Sequence, residues 1–384
     1  MFNLYAVRFF SYASVVIFMP YYSICLLRIG IFTGTEIALI ASLLVLSMRT
    51  SAIFFAKLIS TQHKKYVIFT ALTLSLLGFL IISLLFWVKT GLLFAWCLVS
   101  LLLGASLSVV TLSLASFIAT YLQQPNYTKG FAYLNLAVNL SAGFGPFLGS
   151  VILYYHYQLL PLVSILFLVV SLILTYYLPL DPIKKSVPNQ ENHTTKTNTT
   201  SYNILLIINF LTFVAYAQFF DIFPLFAHQY IGERVVGLMF LISAITITLL
   251  QIPVSNWITQ KYPLSACIIG SILLLAGVGL LALSQFHYLL WIILGVILFS
   301  TAEIMCFPLY RSFAVILSPE HPTFALAKLS FVWGISESLT TFVGLHLVTT
   351  GHGSYSFILG MIASVVAVVL LSFTRKRWRL TKPI

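Results

Sequence analysis

Apolar runs of helix length recur along the whole chain, and they limit its fold more than any other feature. Each run is close to the length, about 20 residues, that an α-helix needs to cross the hydrocarbon core of a bilayer. Lipid cannot satisfy bare backbone polar groups, and the runs are too long for the strands of a membrane barrel. The sequence therefore predicts an all-α membrane protein with twelve transmembrane helices, near residues 4–27, 36–58, 67–88, 92–121, 131–154, 160–180, 202–230, 236–259, 265–285, 289–316, 324–348 and 355–374.

Composition excludes the water-soluble classes of protein. Of the 384 residues, 60% are hydrophobic and 7% are charged, whereas a soluble domain has about 25% charged residues. A soluble enzyme, a nucleic-acid-binding module and a disordered chain are therefore excluded, and the net charge of +12 does not indicate a nucleic-acid partner. The four cysteines lie singly, without the spacing of metal ligands. We expect no metal and no cofactor.

One polar segment separates six apolar runs from six others. It covers residues 181–201, reads DPIKKSVPNQENHTTKTNTTS and has a composition typical of a flexible tether. We therefore predict an N-terminal bundle over 1–180, a cytoplasmic linker over 181–201 and a C-terminal bundle over 202–384 that ends in a basic cytoplasmic tail.

The two halves resemble each other at corresponding places. Pro20 near the end of the first run corresponds to Pro224 near the end of the seventh, and Gly149 in the fifth run corresponds to Gly344 in the eleventh. Both pairs are separated by about half the chain. Because internal repeats of this kind recur in secondary transporters, we predict two pseudo-symmetric six-helix bundles.

The positive charges predict the orientation in the membrane. An even number of spans places both termini on one side, and cytoplasmic loops carry an excess of Lys and Arg. With cytoplasmic termini, the outer loops hold three basic residues, namely Arg28, Lys89 and Arg234. The inner loops and the tail then hold twelve, namely Lys64, Lys65, Lys129, Lys184, Lys185, Lys196, Lys261, Arg375, Lys376, Arg377, Arg379 and Lys382. Both termini are therefore predicted to be cytoplasmic.

A glycine and proline pattern in the fifth run resembles a known family motif. Gly143, Gly145, Pro146 and Gly149 are similar to the antiporter motif of the major facilitator superfamily, and the end of the first run, with Pro20, is a common pattern there. Small residues let helices approach closely and proline removes one backbone hydrogen bond, so the motif suits a helix that changes its tilt. An ordinary close crossing of two helices would use the same residues.

The tenth run adds to the resemblance. Glu303 and Pro308 resemble the acidic residue and proline found there in bacterial multidrug exporters, which implies the twelve-helix drug:proton antiporter branch. The loop after the second run departs from the family's cytoplasmic motif, since only a leucine and the basic pair Lys64 and Lys65 match it. We assign this pair and Arg311 to a cytoplasmic gate. The residues assigned to conformational change are Gly143, Gly145, Pro146, Gly149, Pro20, Pro224 and Pro308.

Three carboxylates inside the apolar runs are candidates for proton coupling. Glu303 lies near the middle of the tenth run, Asp221 lies one turn before Pro224, and Glu337 lies halfway along the eleventh run. An ionisable group at mid-bilayer costs about 2.5–3.5 kcal/mol. Because burial disfavours the charged form of a carboxyl group, such a residue can exchange protons near neutral pH. The alternative for each is a structural carboxylate bonded to a neighbouring helix.

Polar, aromatic and basic side chains in the runs form a candidate substrate-binding set. Arg49, deep in the second run, suits an anionic substrate or a carboxylate, with a structural ion pair as the alternative. Asn135 and Asn139 are four residues apart and share a helix face. Arg8, near the cytoplasmic end of the first run, is expected to reach the membrane interface instead. The substrate-binding set is Arg49, Tyr22, Asn135, Asn139, Tyr216, Gln218, Phe219 and Trp333.

These features and the resemblance imply a proton-coupled secondary transporter. No GK[ST] nucleotide-binding loop is present, so transport is expected to run on an ion or substrate gradient. The motif in the fifth run implies antiport, and hence export of small amphipathic organic compounds, drug-like or siderophore-like, by alternating access. The alternative is a proton-coupled importer of a small anionic metabolite, which Arg49 and Arg311 favour.

Two other classes of protein fit the sequence less well. A membrane-embedded enzyme would need a His/Asp or paired-carboxylate cluster near an interface, and the eight histidines are dispersed. A receptor that does not transport would show no substrate flux. We expect a monomer in the inner membrane of a bacterium, with the lipid bilayer, a small-molecule substrate and protons as its partners.

Overall fold

The computed structural model describes residues 2–121, 127–180, 199–254, 262–317 and 322–374. All regular secondary structure in these ranges is helical, and twelve helices are long and apolar enough to cross a membrane. The predicted all-α fold with twelve spans is therefore confirmed. The helical segments are span 1, Phe2–Phe18 and Tyr22–Ile29; span 2, Gly34–Thr50 and Ala52–Thr61; span 3, Lys64–Val88; span 4, Leu93–Tyr121; span 5, Tyr127–Tyr155; span 6, Leu160–Tyr176; span 7, Thr199–Ala217 and Phe223–Ile231; span 8, Glu233–Val254; span 9, Pro263–Leu281; span 10, Leu289–Leu317; span 11, Pro322–Thr349; and span 12, Gly353–Thr374.

Several helices extend beyond the apolar runs of the sequence. Span 3 begins at Lys64, and the second segment of span 2 ends at Thr61. The bilayer has a polar headgroup region outside its hydrocarbon core, and a helix turn in that region needs no apolar side chains. Hydropathy therefore locates each span but underestimates the length of its helix.

Spans 1, 2 and 7 are interrupted within the helix. In span 1 a 3-10 turn, Met19–Tyr21, contains Pro20, and in span 7 a π-helical turn, Gln218–Ile222, precedes Pro224. Span 2 is interrupted at Ser51. Because proline has no backbone N–H, it removes one hydrogen bond from the helix. The corresponding prolines of the two halves therefore mark an interruption in the first span of each half.

Apolar side chains cover the outward faces of the spans. Leu84, Leu249, Ile252 and Phe373 are each more than half exposed, as expected for side chains that lie against lipid. Serines and threonines are mostly buried between helices, where their hydroxyl groups bond to backbone carbonyls. This distribution is the reverse of that in a soluble protein and fits a bilayer as the solvent.

The contacts divide the chain into two compact units. The first unit is Met1–Gln190 with Val236–Leu241, and the second is Glu191–Val235 with Ile242–Ile384. The predicted linker lies largely outside the described residues, and so does the basic tail. The limits of the domains and the linker stay predictions.

Each unit packs a glycine closely against its own first span. In the first unit, a Cβ atom on Gly149 of span 5 would meet the carbonyl oxygen of Ile17 and the ring of Tyr21. In the second unit, a Cβ atom on Gly344 of span 11 would meet the side chain of Ile222. Small residues permit this close approach of membrane helices. The corresponding spans therefore make the same kind of contact in each unit.

Candidate proton and substrate sites

The interruption of span 7 carries the first predicted carboxylate. Asp221 lies in the π-helical turn, just before the segment in which Pro224 occupies the first turn. π-helical turns inside α-helices are frequent at functional sites. Asp221 is 8% exposed, and its Oδ2 atom accepts a 2.8 Å hydrogen bond from Thr341 Oγ1 of span 11. Asp221 is thus held inside the second unit.

Glu337 belongs to the same polar cluster. It is fully buried on span 11, one turn before Thr341. The Thr341 hydroxyl lies 2.8 Å from the Glu337 carbonyl oxygen and 2.8 Å from Asp221 Oδ2. Because a hydroxyl has a single O–H donor, these two acceptors share it. We call Asp221, Glu337 and Thr341 the carboxylate cluster, in which Thr341 contacts the carboxylate of Asp221 and the backbone carbonyl of Glu337.

A further hydrogen bond joins span 7 to span 12. Ser356 Oγ donates to Gln218 Oε1 at 2.8 Å, and Gln218 Nε2 donates to the Val214 carbonyl at 3.2 Å. Gln218 is fully buried, so it lies in the interior of the unit, and its role in substrate binding stays a prediction. The sequence indicated neither Thr341 nor Ser356. Hydroxyl residues are frequent in the spans, and their spacing does not show which of them bond to a residue on another span.

An aromatic cluster lies between spans 7, 10 and 11 of the second unit. Trp333 stacks on Phe213 with ring centroids 4.1 Å apart, and Tyr216 stacks on Phe220 at 4.6 Å. Phe307 lies 4.9 Å from Tyr216. The structure therefore brings the predicted residues Tyr216 and Trp333 together. The aromatic cluster consists of Phe213, Tyr216, Phe220, Phe299, Phe307 and Trp333.

Glu303 lies beside the aromatic cluster on span 10. It is four residues from Phe299 and four from Phe307, so the three side chains share a helix face. Glu303 is half-buried, whereas Phe219, another predicted substrate-binding residue, is fully buried against Phe299. Pro308 lies further along the same continuous helix. Glu303 is therefore placed at the edge of an apolar ring surface.

A small cavity adjoins the aromatic cluster. Arg311, predicted at a cytoplasmic gate, is exposed and lines this cavity together with Trp333. The other lining residues are Asn209, Phe213, Phe307, Tyr310, Leu329 and Ser330. Its volume of about 10 Å³ is far below the roughly 300–1,000 Å³ of sites that bind small organic molecules, so the cavity as it stands does not hold a substrate.

The glycine and proline motif of span 5 packs directly on span 1. A Cβ atom on Gly145 would meet the side chain of Val16. The Tyr21 hydroxyl donates a 2.7 Å hydrogen bond to the Pro146 carbonyl. Pro146 and Gly143 lie inside the continuous helix of span 5. The motif thus forms a close helix crossing, and its role in conformational change stays a prediction.

Tyr22 lies in the core of the first unit. Its hydroxyl is 2.9 Å from Ser100 Oγ of span 4, and its ring packs against Phe18 and Trp96 with centroid distances of 4.8 and 6.5 Å. Only 1% of Tyr22 is exposed. The structure therefore packs Tyr22 in the interior of the first unit, and its role in substrate binding stays a prediction.

Two arginines lie inside the first unit. Arg49 is half-buried in the last turn of the first segment of span 2, where the helix dipole favours a positive charge. Arg8 is 8% exposed, and its Nη1 donates to Thr111 Oγ1 of span 4 at 2.9 Å. The expectation that Arg8 reaches the membrane interface is therefore wrong. Position along a helix did not reveal that the side chain faces the neighbouring span.

The other predicted polar residues belong to the first unit. Asn139 is half-buried on span 5, and the side chain of Asn135 lies outside the described residues. Lys64 is 3% exposed and donates to a backbone carbonyl two residues earlier at 3.2 Å. Lys65 donates to the Tyr176 carbonyl at 2.7 Å, which joins the start of span 3 to the end of span 6. The gate role of these lysines stays a prediction.

The twelve apolar spans of the described residues, which enclose charged and polar side chains, define a multi-pass membrane protein. The model of the family described as Major Facilitator Superfamily matches residues 4–339. The chain therefore belongs to the major facilitator superfamily. It is a secondary transporter and not an enzyme.

Solved structures share this fold over almost the whole chain. The peptide transporter POT in complex with sulfate has a TM-score of 0.82 and 13% identity, covering 99% of this chain and 95% of that chain. A POT family transporter in complex with 5-aminolevulinic acid has a TM-score of 0.79 and 14% identity, covering 99% and 96%. A variant of the nucleoside transporter NupG has a TM-score of 0.78 and 15% identity, covering 97% and 99%.

At these identities the likeness shows the fold alone. The three proteins are described as peptide or nucleoside transporters, so they do not indicate the drug:proton antiporter branch that the sequence predicts. No curated protein matches the chain in sequence. The substrate and the direction of transport are therefore matters for a proposal.

Proposed function

We propose that the protein is a proton-coupled antiporter of the drug:proton branch, which exports small amphipathic organic compounds by alternating access. The observation that carries the proposal is the carboxylate cluster of the second unit. Asp221 is 8% exposed and Glu337 is fully buried, and the Thr341 hydroxyl contacts the Asp221 carboxylate and the backbone carbonyl of Glu337. An ionised carboxylate inside a membrane protein is costly, by about 2.5–3.5 kcal/mol on the insertion scale. A bound proton removes that charge.

The Thr341 hydroxyl gives the proton site a second arrangement. When Asp221 is ionised, the hydroxyl donates to its Oδ2 atom; when Asp221 carries a proton, the hydroxyl can donate to the Glu337 carbonyl, which it also contacts. The π-helical turn at Asp221 is a point at which span 7 can change shape. Proton binding is thereby coupled to the backbone of spans 7 and 11.

The aromatic cluster supports an amphipathic substrate. Glu303, Phe307 and Trp333 are half-buried, so ring faces and a carboxylate lie at one edge of the second unit. Flat rings contribute apolar contact area, and neighbouring polar groups fix the orientation of a ligand. In this proposal Glu303 is the third proton-coupling residue and lies beside the substrate.

Within the first unit, we propose Arg49, Asn135 and Asn139 as substrate-binding residues, with the buried Tyr22 packed behind them; within the second unit, the buried Gln218 and Phe219 support the aromatic cluster through packing. Export by antiport is supported by the motif in span 5, which resembles the family's antiporter motif and packs closely on span 1. We place the protein in the inner membrane of a bacterium, as a monomer with both termini in the cytoplasm.

The second candidate function is a proton-coupled importer of a small anionic metabolite. The specific observation that favours it is the presence of two arginines within the spans of the first unit, the buried Arg8 and the half-buried Arg49. Both candidates need the same proton site, and they differ in the direction in which protons and substrate move.

Proteoliposomes that contain a pH-sensitive dye test both candidates. Compounds of fixed charge, ethidium and naphthalene-2-sulfonate, are added outside, because they carry no protons themselves. Movement of protons opposite to a compound supports the antiporter, and movement in the same direction supports the importer. Absence of proton movement with any transported compound would contradict both.

Variants assign the proton-coupling residues. Asp221→Asn, Glu337→Gln and Glu303→Gln should insert and bind substrate but lose flux driven by a proton gradient. Glu233→Gln is the matched control, because Glu233 bonds to His228 at 3.0 Å and lies outside the carboxylate cluster. Full gradient-driven flux in a variant removes that residue from the mechanism.

A further inference from the structure

We infer that a groove between spans 9 and 12 binds one acyl chain of a bilayer phospholipid. The groove lies within the second unit and has a volume of about 750 Å³, which is in the range of about 300–1,000 Å³ that is typical of ligand sites. All of the described residues that line it are apolar. The inference concerns the lipid-facing surface and depends on neither the proposed transport function nor its direction.

One face of each helix forms a wall of the groove. The lining residues recur at intervals of three and four along both helices, which places them on one face of each. They include Ile272, Ala276 and Gly279 of span 9 and Ile358, Ile362 and Val366 of span 12. On the buried side of these faces the helices touch, because a Cβ atom on Gly360 would lie 3.2 Å from the side chain of Val278. Between the walls there is more space, since a Cβ atom on Gly279 would meet only Met361, at an ordinary 3.6 Å.

The groove opens on the surface that faces lipid. Ile272, Ile358 and Ile362 are each about half exposed, and they continue the apolar outward faces of the spans. An empty groove loses the dispersion contacts that its walls would make with a neighbouring molecule. A hydrocarbon chain that enters the groove contacts both helices together, whereas a chain beside a convex helix contacts one.

The length of the groove fits the chain of a single leaflet. Its walls cover residues 272–280 of span 9 and 358–366 of span 12, which corresponds to about 12 Å of helix. Half of the hydrocarbon core of a bilayer is about 15 Å thick. The groove therefore extends over most of one leaflet.

Polar groups lie at the end of the groove where the lipid headgroup would be. Just beyond this end, Ser354 Oγ donates to Gln285 Oε1 at 2.8 Å, which joins the start of span 12 to the turn after span 9. Tyr355 is exposed and lies three residues before Ile358, on the same helix face. Tyrosine is enriched at the level of the headgroups. A phospholipid with its chain in the groove would therefore have its headgroup beside Tyr355.

A second copy of the chain fits the groove less well. A length of about 12 Å and a helix spacing of about 10 Å give the groove a footprint of roughly 120 Å². A stable protein interface buries about 800 Å² on each partner. The groove alone is therefore too small to hold a dimer together, whereas it is large enough for a hydrocarbon chain.

Native mass spectrometry tests the inference, because it counts bound phospholipids and copies of the chain in the same spectrum. The delipidated protein is kept in glyco-diosgenin, a detergent with a rigid steroid body, and is titrated with palmitoyl-oleoyl phosphatidylglycerol. Wild type should bind the first molecule at least about tenfold more tightly than it binds dihexanoyl phosphatidylglycerol, which has the same headgroup on short chains. A chain that loses about ten carbon contacts loses roughly that factor in affinity.

Two variants fill the groove, and a third adds a side chain of similar bulk elsewhere. Ala276→Leu and Gly279→Leu should each weaken binding of the long-chain lipid at least about tenfold. Ala276 is exposed, so its variant tests the groove even where Gly279→Leu does not fold. Val170→Phe is the matched control, because Val170 is exposed on span 6 of the first unit; it should bind the lipid as wild type does.

Three results would overturn the inference. Equal affinity of wild type for the long-chain and short-chain lipids would assign the binding to the headgroup. Unchanged affinity in Ala276→Leu would place the lipid outside the groove. A wild-type dimer that Ala276→Leu converts to monomers would make a second copy of the chain the occupant. None of these measurements uses a proton gradient, so a failure of proton coupling leaves them unaffected.

Discussion

Replacing Gly149 by alanine is expected to separate span 5 from span 1. The added Cβ would meet the carbonyl oxygen of Ile17, which is helix backbone and cannot move aside, and the ring of Tyr21. Overpacking of this kind costs about 1–3 kcal/mol. The separation also weakens the 2.7 Å hydrogen bond from Tyr21 to the Pro146 carbonyl, which is worth about 1 kcal/mol. Alanine regains about 1 kcal/mol through its helix propensity, so the free energy of unfolding should fall by about 1–3 kcal/mol.

The free energy of unfolding is measured by titrating the protein with SDS in mixed micelles and following circular dichroism. Gly78→Ala is the matched control in the same unit, because the nearest atoms to its Cβ belong to Leu103 at 3.4 Å, an ordinary contact. It should be neutral or stabilising. Tyr21→Phe isolates the hydrogen bond and should cost about 1 kcal/mol. If Gly149→Ala is as stable as Gly78→Ala, the close crossing of spans 1 and 5 is refuted.

Two further predictions concern the proton site and the charge that moves. Thr341→Val removes the donor to Asp221 Oδ2 and should lower the free energy of unfolding by about 1.5–3 kcal/mol and reduce proton-driven flux, whereas Thr341→Ser should retain both; equal behaviour of the two variants would argue against the hydrogen bond. Export of a monovalent anion against one proton moves two positive charges inward, so its driving force should change by about 4.6 kcal/mol per 100 mV of imposed potential. Import of that anion with one proton is electroneutral, and a potassium-diffusion potential should leave it unchanged.

The helices were predictable because they depend on features along the chain, and the apolar runs gave the twelve spans. Their interruptions were less predictable: spans 1 and 7 are interrupted at Pro20 and before Pro224, whereas the helices continue through Pro146 and Pro308. The π-helical turn before Pro224 was not predictable, since proline disrupts the hydrogen bonds of a helix without deciding which kind of turn replaces them. The family was also recognisable from the sequence, because its motif consists of glycines and a proline at fixed spacing within one helix.

The sites were less predictable, because a side chain's surroundings depend on how its helix is rotated. Hydropathy gives the position of Arg8 along span 1, but it does not show that the guanidinium reaches Thr111 of span 4. The same ambiguity applies to Tyr22. Its hydroxyl group led to the prediction that it lines a cavity, but this hydroxyl bonds to Ser100 in the core. Carboxylates stood out because they are rare in the spans. Their partner Thr341 did not, because hydroxyl residues are common there.

The two units differ in the sign of the charge that they enclose. The spans of the first contain Arg8 and Arg49, and those of the second contain Asp221, Glu303 and Glu337. A carboxylate can be neutralised by a proton, but an arginine stays charged in proteins and can be neutralised only by an anion. In the proposed transport cycle, a proton therefore changes the charge of the second unit, whereas the arginines of the first unit keep their charge throughout.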